Sequence, residues 1–275
     1  MECTAEYLRA FSEAGSLRAA SEARSSVPVL RALKEVGALL GAPAGAGGAA
    51  SPTPTSPTPE AVFAAAESLG RDEVARRCFE AANLSAIILD ANLGGFGGGA
   101  ESQHSENWHR GHVPVVKHVL RVETVAEQVL ADLLGRDIEG PEDLAGAFAE
   151  ELRHRLRHPR PGTVGYKSIV GYRTGLRVDP GVSFDDMACT LRTLVPSFRA
   201  RLAAGEPLRL ATKAVNDWVF TVGLSVAAEK AQPLQIHTGF GDPDLDLVEG
   251  NPALLKAVIE DERFHAAPLV LLHAR

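Results

Sequence analysis

The chain has little cysteine and no long apolar run, and each shortage excludes a class of protein. Three cysteines in 275 residues are too few and too scattered for a disulfide framework or a zinc–thiolate cluster, which favours a reducing compartment. No run of 18 apolar residues occurs, and the start MECTAEYLRAFSEA lacks the basic and apolar regions of a signal peptide. We therefore expect a soluble protein of the cytoplasm.

Clustered positive charge is also missing. The chain carries 28 lysine and arginine residues against 35 acidic residues, a formal net charge of -7. Because neutralising phosphates needs concentrated lysine and arginine, neither nucleic acid nor an anionic membrane is expected as the main partner. A hydrophobic content of 45% is enough for a substantial core, so we expect a folded protein whose partner is a small-molecule substrate.

Apolar runs of strand length alternate with helical patterns along most of the chain. The five runs that read as strands are SAIILD, HVLRVE, TVGYKSIV, PLQIHTG and PLVLLHA. Helical spacing of apolar residues lies between them, for example in TVAEQVLADLLG and PEDLAGAFAEELRHRLRH. Strands that alternate with helices predict βα units and a parallel sheet.

Polar residues follow several of these strands, and this favours a TIM-barrel type of α/β fold over a three-layer sheet. They are Asp90, Glu123, the segment from Lys167 to Arg173, His237 and His273. In a (β/α)8 barrel the carboxyl ends of the strands carry the active site. A dinucleotide site is not expected, because GGFGGG after IILD lacks the GxGxxG spacing.

One segment departs from this alternation. Residues 41–59, GAPAGAGGAASPTPTSPTP, consist of Gly, Ala, Pro, Ser and Thr without charge, which predicts a disordered surface insertion. The rest of residues 1–275 is expected to form a single α/β domain with extra helices.

Three segments in order carry a resemblance to a known family. GYKSIVGYRTGL, PLQIHTGFGDPDLDL followed by NPALL, and VLLHA resemble the amidohydrolase-related (amidohydrolase 2) family, in particular its FluG and nodulin-like type. The resemblance implies a metal-dependent (β/α)8 barrel that hydrolyses, decarboxylates or hydrates small amide or carboxylate compounds. It also implies a divalent metal, with zinc the expected ion.

His237 and His273 end two successive apolar strands, so a parallel barrel would place them side by side at one rim. Two neighbouring imidazoles suit one zinc ion, and the resemblance supplies most of the weight for this reading. Alternatively, each histidine is buried and hydrogen-bonded to backbone.

Lys167 is a charged residue inside an apolar strand pattern, and a buried ammonium needs a partner or a shifted pKa. It could anchor a substrate carboxylate, be carbamylated and bridge metals, or pair with an acid such as Glu123. Arg173 would share a strand face with Lys167 if the strand ran that far, and its planar guanidinium suits a carboxylate. A loop arginine paired with an aspartate is the alternative. Tyr172 is a substrate-binding candidate on the resemblance alone.

Asp242 is the acid nearest to the His237 strand and could orient a ligand or contact substrate. Asp244 and Asp246 are expected to cap the turn or the following helix. His154 and His158 have helical i, i+4 spacing, and we interpret them as part of a solvated basic helix face.

The chain also departs from the family pattern. The family's first strand carries an HxH or HxD pair of metal ligands, and neither spacing occurs in these 275 residues. The family continues past LLHA to an aspartate that binds metal. Five strands instead of eight predict an incomplete barrel whose open edges favour self-association or a partner chain that completes the sheet.

Three hypotheses follow from these matches and departures. The chain is a metal-dependent amidohydrolase-type hydrolase in truncated or inactive form, a non-catalytic binding or regulatory module derived from such a barrel, or a metal-free enzyme that uses Lys167 and Arg173 to bind an anion. Bound metal would separate the first hypothesis from the other two.

Overall fold

The computed structural model describes residues 17–45, 56–90, 105–136, 141–241 and 245–274. The chain divides into two compact units, one within residues 1–87 and 104–115 and the other within residues 88–103 and 116–275. The prediction of a single domain stays a prediction. No helix in the described ranges is long and apolar enough to cross a membrane.

The described residues of the first unit contain five helices. They are α1 (Leu17–Glu22), α2 (Val27–Leu40), α3 (Pro59–Leu69), α4 (Arg71–Ala82) and α5 (Glu106–Arg110). Gly70 has a φ of 78° and separates α3 from α4. A positive φ is easily adopted by glycine and breaks the helix at this point.

Residues 46–55 of the predicted disordered insertion lie outside the described ranges. The last residues of the segment, 56–59, lie inside the described ranges. Pro59 is the first residue of α3, and the Thr58 side chain accepts a hydrogen bond from the Ala61 N–H. Proline at the start of a helix behind a threonine cap is a favoured combination. The disordered insertion stays a prediction.

Within the described ranges, five strands form one sheet. They are β1 (Ala86–Asp90), β2 (Val115–Arg121), β3 (Thr163–Ser168), β4 (Leu234–His237) and β5 (Leu269–Leu272). The helices between β2 and β5 are α6 (Val122–Leu134), α7 (Pro141–Arg157), α8 (Phe184–Ala203), α9 (Lys213–Glu229) and α10 (Lys256–Ile259), with short 3₁₀ turns at Val170–Tyr172, Pro252–Leu255 and Glu262–Phe264. The predicted α/β alternation is therefore confirmed.

The strands lie in the order β1-β2-β3-β4-β5, and the pairs from β2 to β5 are parallel. Each strand is thus the neighbour of the strand before it, as in a (β/α)8 barrel. The order never reverses, whereas a doubly wound sheet binds its cofactor where the order reverses. The five strands are consistent with part of a barrel, and closure of a barrel stays a prediction.

The two faces of the sheet differ in chemistry. Arg121, Lys167 and Gln235 are in register on β2, β3 and β4, and His237 follows two residues after Gln235. Because alternate residues of a strand share a face, these four side chains lie on one face, which we call the polar face.

The opposite face packs against helices. Tyr166 and Leu234 are fully buried there and belong to the core formed with α6, α7 and α9. The Tyr166 hydroxyl donates a hydrogen bond of 2.8 Å to the Leu156 carbonyl, which joins β3 to the end of α7. Gly223 of α9 lies so near Val122 that an added Cβ would be 2.8 Å from its methyl carbons. This close approach holds α9 against the start of α6.

Candidate functional site

The two histidines predicted to share a rim lie next to each other. His237 is the last residue of β4, and His273 directly follows β5. Their ring centroids are 4.8 Å apart. His273 has a φ of 60°, a left-handed conformation that is uncommon for a residue other than glycine. The structure thus brings the two imidazoles together, while their role as metal ligands stays a prediction.

Tyr172 joins this pair. Its hydroxyl is 3.0 Å from Nε2 of His237, and the two ring centroids are 4.7 Å apart. If β3 continued as far as residue 172, alternation along the strand would turn Tyr172 away from the face of Lys167. Instead the chain leaves the sheet after Ser168, and the 3₁₀ turn Val170–Tyr172 redirects the tyrosine.

Gly241 leaves room for the contact between Tyr172 and His237. A Cβ at Gly241 would lie 2.6 Å from Nε2 of His237 and would overlap the Tyr172 hydroxyl. Such distances are far below van der Waals contact, so glycine is required for this packing. Asp242, the acid predicted to serve this site, lies outside the described residues.

Lys167 is paired with an acid, which was one of its three open roles, and the acid is Asp90, whereas Glu123 had been named as an example. Its Nζ is 3.1 Å from Oδ2 of Asp90 at the end of β1. The same oxygen accepts a hydrogen bond of 2.5 Å from the Arg121 guanidinium at the end of β2. Two cations therefore share one carboxylate oxygen on the polar face. Sequence reasoning missed Arg121, although its position between an apolar strand and a helix was a usable signal.

Arg173 does not share a strand face with Lys167, because β3 ends five residues earlier, at Ser168. Its guanidinium is 3.1 Å from Glu127, and its side chain is 8% exposed. Glu127 also accepts a hydrogen bond of 2.9 Å from the Leu210 N–H. Burial raises the pKa of Glu127, and the Arg173 charge opposes that rise. Arg173 therefore forms an ion pair, as in its alternative interpretation, but the partner is a glutamate and not an aspartate.

Glu123 explains why β3 stops at Ser168. The carboxylate of Glu123 accepts hydrogen bonds from the Ser168 hydroxyl (2.5 Å) and the Ile169 N–H (3.1 Å). These bonds turn the backbone away from the sheet. Glu123 is 1% exposed, and its burial raises the pKa of the carboxyl group.

The described residues supply only some of the ligands that a metal ion needs. They contain no group of three or more His, Cys, Asp or Glu side chains arranged to hold one ion. A catalytic zinc site normally has three protein ligands and a water. His237 and His273 supply two suitable nitrogen donors, so the described part of the chain offers a two-imidazole rim and not a complete ligand set.

A second histidine pair lies away from this rim. His154 and His158, near the end of α7, have ring centroids 4.6 Å apart, and Nδ1 of His158 contacts the His154 carbonyl at 2.9 Å. This pair has nearly the same ring separation as the rim histidines.

Comparison with known proteins assigns the fold. No family model matches the chain. A presumed metal-dependent hydrolase from Lactobacillus casei ATCC 334 has a similar structure, with a TM-score of 0.65 and 22% sequence identity over 97% of this chain and 61% of that one. The fold of this chain is thus similar to that of the solved protein.

A relative agrees with the resemblance found in the sequence. Protein FluG of Emericella nidulans is 32% identical over 186 residues, which cover 61% of this chain and 21% of FluG. The predicted resemblance to FluG-like, amidohydrolase-related proteins is therefore confirmed. The chain corresponds to about a fifth of the length of FluG and to less than two thirds of the solved hydrolase.

Proposed function

We propose that the chain is an amidohydrolase-type, metal-dependent hydrolase unit that acts on a small amide or carboxylate compound. The observation that carries this proposal is the pairing of His237 with His273 at the carboxyl ends of neighbouring parallel strands. Active sites of this fold type lie at that end of the sheet. Two imidazole ligands suit zinc, which we propose as the metal. The small number of cysteines favours the cytoplasm as the compartment.

Each nearby side chain has a role in this proposal. His237 and His273 hold the cation through neutral imidazole nitrogens. When bound, a divalent cation supplies a nucleophilic water of lowered pKa and polarises the substrate carbonyl. The hydroxyl of Tyr172 fixes the ring of His237 or contacts substrate. Asp242, which lies outside the described residues, is assigned the role of orienting a ligand or contacting substrate.

Metal content tests the proposal. We expect the parent protein to retain about one equivalent of zinc after loading and desalting. We expect the double variant His237→Ala, His273→Ala to retain none, since both nitrogen donors are lost. The matched control is His154→Ala, His158→Ala, which removes a histidine pair of nearly the same ring separation and should leave the zinc content unchanged. Elemental analysis measures the zinc content of all three proteins. Zinc that persists in the variant without His237 and His273 would overturn the proposal.

One observation favours a second candidate, a binding or regulatory module without catalysis. Asp90 is already paired with the side chains of Arg121 and Lys167, and Glu127 is already paired with Arg173. Neither acid is therefore free to complete a metal site in the described geometry. Ammonia release from a panel of primary amides separates the candidates. Turnover that depends on added zinc supports the hydrolase, whereas a folded protein that retains no zinc and shows no turnover supports the module.

A further inference from the structure

The cluster of Asp90, Arg121 and Lys167 has one more positive than negative charge. The exposed fractions of these side chains are 10%, 7% and 18%, respectively. Removing charge from water is costly unless it is compensated. Asp90 compensates one of the two cations, so the cluster favours the approach of a second anion.

The cluster also has unused hydrogen-bonding capacity. In the described part of the chain, Nε of Arg121 and Oδ1 of Asp90 are buried without a hydrogen-bond partner. Lys167 has three ammonium donors, one of which lies at its contact with Asp90. Arg121 and Lys167 are in register on adjacent strands, which puts their donors within reach of one bidentate acceptor.

A ligand can reach this cluster from the polar face. Ile88 lies two residues before Asp90, on the same face of β1, and is 49% exposed. Gln235 is the register partner of Lys167 on the other side and is half-buried. The approach therefore passes an open apolar side chain and an amide, a combination that suits a short carbon chain with a polar end.

Arg173 is a poorer candidate for the same task. Its guanidinium is bound by Glu127, so that pair has no excess charge. The Glu127 carboxylate is itself fixed by the Leu210 N–H. An anion at Arg173 would have to displace this carboxylate.

We propose that Arg121 and Lys167 bind the carboxylate of a small organic acid and that Asp90 positions the two cations for it. The statement that this acid is the substrate rests on the proposed function. The anion site itself depends on these three residues alone.

Calorimetric titration with succinate tests the site, and succinamide serves as the neutral control. We expect saturable binding of succinate and none of succinamide. Lys167→Met should weaken succinate binding about 10- to 100-fold, the range expected for loss of one charge-assisted hydrogen bond. Lys256→Met is the matched control, because Lys256 is an exposed lysine on α10 paired with Glu260, and its loss should leave the affinity unchanged.

A measurement on the parent protein covers the case in which Lys167→Met does not fold. Succinate should slow acetylation of Lys167 and leave that of Lys256 unchanged, as followed by mass spectrometry. Equal succinate affinity in the parent and in Lys167→Met, or no protection of Lys167, would overturn the anion site.

The rim variant separates the two proposals. Succinate binding that persists in His237→Ala, His273→Ala supports the anion site whether or not the parent holds zinc. Succinate binding that is lost in the rim variant and kept in Lys167→Met would show that the acid binds at the metal, and it would overturn the anion site while supporting the hydrolase.

Discussion

At the scale of single residues, Glu123 couples the fold to pH. The folded protein raises the pKa of this carboxyl above its ordinary value of 4.5, mainly through burial, while hydrogen bonds from Ser168 and Ile169 and the charge of Arg173 oppose the rise. The folded state therefore binds this proton more tightly than the unfolded state does. The stability that this group contributes is fully present below its unfolded pKa and is lost as pH rises through its folded pKa.

Glu123→Gln should remove this loss, because the amide keeps an acceptor oxygen and never ionises. We expect the variant to be more stable than the parent at about pH 8 and to gain less, or nothing, at about pH 4. Urea unfolding of both proteins at the two pH values measures the difference. A stability difference that is the same at both values would contradict the raised pKa.

At the scale of elements, the start of α8 has a complete capping box. The Ser183 hydroxyl accepts a hydrogen bond from the Asp186 N–H at 3.1 Å, and the Asp186 carboxylate accepts one from the Ser183 N–H at 3.3 Å. Ser183→Ala should destabilise the protein by about 1 kcal/mol, because it leaves helix N–H groups without a partner. Ser225→Ala, at an exposed interior position of α9, should change stability by less than about 0.5 kcal/mol. Equal effects in urea unfolding would contradict the cap's contribution.

Elements were more predictable than the contacts between them. The runs IILD, VGYK and LQIH carry a local signal, a short apolar stretch that ends in a polar residue, and all three are strands. The partner of Lys167 was not predictable in this way. Asp90 lies 77 residues earlier in the chain, and nothing in the local sequence distinguishes it from Glu123 as a partner. The contact of Tyr172 with His237 depends on where β3 ends. The end of β3 is in turn fixed by hydrogen bonds to Glu123, a buried residue of α6.

At the scale of the whole molecule, the described sheet has an edge at β5. An edge strand offers unpaired backbone groups to another chain. We therefore expect the parent to self-associate with increasing concentration in sedimentation velocity. Val270→Lys should reduce this association, because Val270 lies on β5, is 39% exposed and would carry a charge to the edge. Val248→Lys, at a 73% exposed position outside the strands, should have no effect. Parent protein that stays monomeric at all concentrations would contradict the expectation.

The sequential order of the strands also bears on how the protein is made. Each strand from β2 to β5 pairs with the strand synthesised just before it. A nascent chain that emerges from its N-terminus can therefore add every new strand to a partner that is already in place. The sheet can grow in the direction of translation, without holding an early strand unpaired until a distant one arrives.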